Sequence, residues 1–120
     1  MTGVAHLASE AAGEDTLGPL RDHLDPTAFR EIVALYETTV RDRADAIARA
    51  ARTGDFDTVR RSAHDLAGMC GQLGSTRATQ LARRIEGACA GGKGHDALAL
   101  IPELAPAVAE TLRALAEIAR

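Results

Sequence analysis

Apolar residues recur at helical spacing along most of the chain. Leu17, Leu20 and Leu24 predict one short helix that Gly18-Pro19 starts or interrupts. The first long stripe is Phe29, Ile32, Val33, Tyr36, Val40, Ala44, Ile47 and Ala51. Asp25 can cap that helix, Pro26 suits its first turn, and Gly54 stops it. Asp55 or Asp57 caps a second helix carrying Val59, Ala63, Leu66, Cys70 and Leu73. Gly74-Ser75 turns the chain, with Ser75 as the next cap, and Ala78, Leu81, Ala82, Ile85 and Ala88 or Cys89 form the third stripe. Gly91-Gly92 and Gly94 end it. Leu98, Ile101, Ala105, Val108, Leu112, Leu115 and Ile118 or Ala119 make the fourth, whose first half Pro102 and Pro106 should bend or delay. Four amphipathic segments joined by short turns predict an all-α fold, an antiparallel up-down four-helix bundle with a short extra N-terminal helix. Residues 1–15 lack periodicity and are expected as a flexible tail, leaving 16–120 as the bundle domain.

Composition narrows the function classes. One domain of 120 residues has only three aromatic residues and an Ala bias, which suits helices packed on small side chains. A formal net charge of −3 gives no reason to expect nucleic acid. No apolar run approaches the roughly 20 residues that cross a bilayer, and the first residues lack a signal-peptide pattern. Cys70 and Cys89 have no metal-type spacing, and helical rise separates their levels by roughly 14 Å, too far for a disulfide. The chain is therefore expected in a reducing cytoplasm, without a metal site. The basic residues are 13 Arg and the single Lys93.

One histidine stands apart. His64 lies about 100° round the helix from Ala63, at the edge of the apolar stripe. Arg60 and Arg61 precede it by one turn, while Ala67, Gly68 and Gly71 follow by one and two turns. A helical glycine costs up to about 1 kcal/mol relative to Ala, so two beside one histidine point to close approach by another molecule. The bland reading makes them points where helices pack closely.

His64-Asp65-Leu66-Ala67-Gly68, then Gly74, Leu81 and Ile85-Glu86, resembles the histidine-containing phosphotransfer (HPt) family, whose pattern is His-x-Leu-Lys-Gly followed by a later Gly and a Leu-Glu pair. Leu24-Asp25-Pro26, Phe29-Arg30, Tyr36 and Gly54-Asp55 extend the likeness over roughly residues 17–119. Helical geometry supports it independently. Positions equidistant from the turn at Gly74-Ser75 stand at one level, and His64 and Glu86 are such a pair, each one residue past a core position. A carboxylate beside one imidazole nitrogen fixes the tautomer and leaves the other free as nucleophile. The resemblance implies that Glu86 holds Nδ1 while Nε2 takes the phosphoryl group.

One position departs from the pattern. Ala67 stands where the family has a lysine that offsets phosphoryl charge. Arg83 is level with Ala67, one turn before Glu86, and is the candidate replacement, where a guanidinium can bind phosphate bidentately. Arg60 and Arg61 are second candidates, with a solvated face as their bland reading.

The resemblance implies a phosphorelay carrier rather than an enzyme, exchanging phosphate on His64 with receiver-domain aspartates of response regulators or a hybrid histidine kinase. The chain has no nucleotide loop, so no cofactor is expected and Mg²⁺ is supplied in the partner receiver. Gly68, Gly71 and Gln72 would form the docking surface of a monomer. The alternatives are a docking module of the same fold without the chemistry, favoured by Ala67, and a plain structural bundle. A dimerising kinase fragment needs only two long helices.

Overall fold

The computed structural model describes residues 14–120, with side chains from Leu17 onward; the expected tail, apart from Glu14 and Asp15, lies outside the described residues. Five helices and no strand occur among them: α1 (Glu14–His23), α2 (Pro26–Arg52), α3 (Phe56–Gln72), α4 (Thr76–Ala90) and α5 (Gly94–Ile118). Glu14 and Asp15 are already helical, and Gly18-Pro19 lies inside α1 rather than starting or breaking it.

Local chemistry sets the boundaries. The Asp25 carboxylate accepts from the Ala28 amide at 2.8 Å, and Pro26 occupies the first helical position of α2. Asp55 caps α3 by accepting from the Thr58 amide at 3.2 Å and the Thr58 hydroxyl at 2.6 Å. Those bonds hold the Asp55 carboxyl below its ordinary value, so the cap acts above that value and is lost as pH falls through the lowered one. The ends of α2, α3 and α4 close alike. Gly54, Gly74 and Gly92 take positive φ, and the amides of Asp55, Ser75 and Lys93 reach back to the carbonyls of Ala50, Cys70 and Ala88. This is the Schellman closure, which an L side chain at the left-handed position would strain. Gly94, expected to help end the third helix, instead opens α5, where a Cβ would lie 2.6 Å from the Phe56 ring.

α3 packs on both α2 and α4, α5 packs on both α4 and α2, and α1 rests on α2. The α3–α4 seam is lined by small side chains: Ala63, Ala67, Ala78 and Ala82 are all buried. They permit the two helix axes to approach closely, with Leu66, Leu81 and Ile85 filling the layers around them. The expected stripes of α2, α3 and α4 all face the core, fully or in part.

The first half of α5 is in a different register from the one expected. Ala97 and Leu104 are buried, whereas Leu98 is 38% exposed and Ala105 faces solvent. The buried residues are Ala97, Leu104, Ala107, Val108, Thr111 and Leu115, one position earlier than the expected series in the first half and rejoining it at Val108. α5 also begins at Gly94 without delay. Pro102 and Pro106 lie on its exposed side, where the carbonyls they leave without a helical donor can bond water.

Ser75 occupies the N-cap position of α4, but its hydroxyl makes no capping bond. It is buried against Thr111 of α5, 2.5 Å away, and the Thr111 hydroxyl donates to the Ala107 carbonyl at 3.3 Å. Thr111→Val keeps the shape and orphans the Ser75 hydroxyl, an expected destabilisation of about 1–3 kcal/mol. Adding Ser75→Ala removes the orphan and should recover part of the loss in urea unfolding. Equal stability of parent and Thr111→Val contradicts this account.

Candidate functional site

α3 and α4 build the site across their alanine-lined seam. His64 projects from α3 just outside buried Ala63, and Glu86 from α4 just outside buried Ile85. Their side chains meet, with His64 Nδ1 2.8 Å from Glu86 Oε2. A carboxylate only accepts, so Nδ1 carries the proton and donates. In the neutral ring the lone pair then sits on Nε2, which bonds to nothing among the described residues. The His64 side chain is 70% exposed and that of Glu86 27%, so the ring is held on its inner side and open on its outer one. This is an oriented, accessible nitrogen nucleophile.

The glycines beside it have no packing role in this chain. A Cβ at Gly68 would meet nothing within 4 Å, and one at Gly71 would make only ordinary contact with Thr79 at 3.8 Å. Close helix packing therefore explains neither residue. Gly87 follows Glu86 on α4, is exposed, and likewise has open space around it. Sequence reasoning missed Gly87, although a third glycine inside a helix was a visible signal. With Gly68 and Gly71 it leaves positions beside the His64–Glu86 pair without side chains on both helices.

The candidate cations differ in their commitments. Arg60 and Arg61 both pair with Asp57, at 3.1 and 3.2 Å. Arg83 is exposed and makes no ion pair or hydrogen bond among the described residues. On the flank toward α2, Arg43 lies 3.7 Å from Asp65, the residue after His64. Ala67, at the family's lysine position, is buried in the α3–α4 seam. Its small side chain belongs to the close helix approach that lets His64 reach Glu86.

Gln72 ends α3 and is exposed. It borders an open, mostly apolar groove of about 470 Å³ that includes Leu20, Ile32, Leu35, Tyr36 and Met69. Leu35, at 66% exposure, is the most exposed large apolar residue described, and the sequence reading passed over it. Its signal was an apolar side chain lying off the core stripe. Cys70 and Cys89 are free thiols. Burial pushes Cys70 up to about 12, and burial also raises Cys89 against the opposing charge of Arg60. Among the described residues no group of three or more His, Cys, Asp or Glu could hold a metal ion, and no helix is long and apolar enough to cross a membrane.

Residues 31–118, well over half of the chain, match the family model described as the Hpt domain. No curated protein and no solved structure matches the chain.

Proposed function

Since the chain belongs to the Hpt domain family, whose members carry phosphoryl groups in phosphorelays, we propose that His64 Nε2 is its phosphoacceptor. The supporting observation is the 2.8 Å bond from His64 Nδ1 to Glu86, which leaves Nε2 bare and facing outward. The domain is then four helices, α2 to α5, running alternately up and down, with α1 as an added N-terminal helix. Short turns and the closed ring of packing contacts support that arrangement.

The partner is the phosphoaspartate of a response-regulator receiver, free or fused to a hybrid kinase. Nε2 attacks phosphorus, the Nε2–P bond forms, and the acyl O–P bond breaks with its electron pair leaving on the aspartate. Nδ1 keeps its proton, and Glu86 offsets the positive charge the ring acquires. The reverse step returns the group to a second receiver. Mg²⁺ belongs to the receiver's acidic pocket, so this chain acts as a carrier, working as a cytoplasmic monomer. The partner docks over Gly68, Gly71 and Gln72, with the apolar groove at Leu35 and Met69 beside them.

Arg83 replaces the family's lysine by reaching across the α3–α4 seam, where Ala67 is buried, toward the phosphoryl oxygens. Arg83→Ala should slow transfer about tenfold, the ~1.4 kcal/mol expected of a charge-assisted hydrogen bond. A transfer rate equal to the parent's would contradict this role.

The reading is tested by mixing the protein with a radiolabelled phosphoreceiver. Label that moves to the protein, survives alkali and is lost in acid is the expected result. Binding without label would favour the second reading, a docking module without phosphotransfer, for which Ala67 in place of lysine is the specific observation.

A further inference from the structure

On the exposed face of α3 lie Asp57, then Arg60 and Arg61, then His64, each step about one helical turn. Residues three and four apart on a helix are neighbours, so both arginines can reach either the carboxylate behind them or the histidine ahead. Both are drawn to the carboxylate. Arg60 Nη2 lies 3.1 Å from Asp57 Oδ1 and Arg61 Nη2 lies 3.2 Å from Asp57 Oδ2, so one carboxylate holds two guanidinium groups with one oxygen each. Helical side chains lean toward the N-terminus of their helix, the direction in which Arg60 and Arg61 lie from His64. A group added to the His64 ring would stand within one helical turn of both arginines.

We propose that Asp57 is a positioning residue that keeps Arg60 and Arg61 off His64 while Nε2 is bare and yields them to the phosphoryl group once it forms. The proposal rests on His64 as phosphoacceptor and adds a control on that site.

Relative strengths decide the exchange. Exposed carboxylate–arginine pairs are among the weakest ion pairs in proteins. A phosphoryl group brings nearly twice the charge and three acceptor oxygens, and it binds arginine in the bidentate geometry. It therefore outcompetes Asp57, all the more because Asp57 must divide itself between two partners. Before phosphorylation the same contest runs the other way. Asp57 then neutralises the cations that would draw an anionic phosphodonor to Nε2, which slows loading.

Phosphoramidate tests this without any partner protein. It passes its phosphoryl group to Nε2 as its own P–N bond breaks and ammonia leaves. Asp57→Asn should raise the labelling rate about two- to fivefold, the release of a pair of weak surface ion pairs. Asp57→Glu should return the rate to the parent's. With Arg60 and Arg61 both changed to Gln, Asp57→Asn should have no effect. In the parent, the Arg60 and Arg61 side-chain NMR signals should shift on phosphorylation. Asp57→Asn labelled at the parental rate, a gain that persists without the two arginines, or unmoved arginine signals would each overturn the proposal while leaving His64 as phosphoacceptor. A parent that takes no label from phosphoramidate would remove both.

Discussion

His64→Gln should take no label from phosphoramidate or from a phosphoreceiver, and it should fold as the parent does. Glutamine keeps a side-chain amide that can donate to Glu86, so the carboxylate is not stranded. It offers no unprotonated ring nitrogen, so the Nε2–P bond has no donor. The side chain it replaces is 70% exposed, and substitutions at such positions usually move stability by no more than about 0.5 kcal/mol. Loss of label with an unchanged urea midpoint thus separates chemistry from folding. His23 and His95 are also exposed, but neither has a carboxylate partner like Glu86 among the described residues. Alkali-stable label on the variant would place the acceptor elsewhere and end the case for His64.

Gly68→Leu should have the next largest effect, with two consequences that run in opposite directions. Nothing lies within 4 Å of a Cβ at this position, so the leucine projects outward without a clash inside the chain. Exchanging a helical glycine for leucine should stabilise the fold by about 0.8 kcal/mol, a higher midpoint in urea. The same side chain would stand on the surface proposed for receiver docking. Displacing the reacting atoms by as little as 1 Å costs about 100-fold in rate, so transfer from a phosphoreceiver should fall by at least that factor. Labelling by phosphoramidate, which is small enough to approach Nε2 alone, should stay within about twofold of the parent. A variant that is more stable and still accepts phosphate from a receiver at full rate would show that the bare surface is not where partners dock.

What the chain declares about itself follows from how local each signal is. Asp25, Asp55 and the glycines at 54, 74 and 92 act within a few residues, so helix ends were legible before any coordinates. The His64–Glu86 contact was legible as well, because a tight turn converts sequence separation into level along two antiparallel helices. The register of α5 was not. That helix is rich in apolar residues on more than one side, so two stripes are present in the sequence, and only packing on α2 and α4 selects Ala97 and Leu104 over Leu98 and Ala105. Ser75 misled for a related reason. Its residue type suits a cap, but Thr111, 36 positions away, is the stronger partner in a buried place. Gly87 and Leu35 carried a visible signal each, a helical glycine and an apolar residue off the stripe, but each acquires meaning only from its neighbours on another helix.

The single open side of the His64 ring would also order traffic. With His64 as phosphoacceptor, one nitrogen on one face would admit one protein at a time, so a domain that donates phosphate and a domain that receives it would exclude each other. Exchange would then be ping-pong, the first partner leaving before the second arrives, and the relative abundance of charged and uncharged receivers would decide which way the phosphoryl group flows.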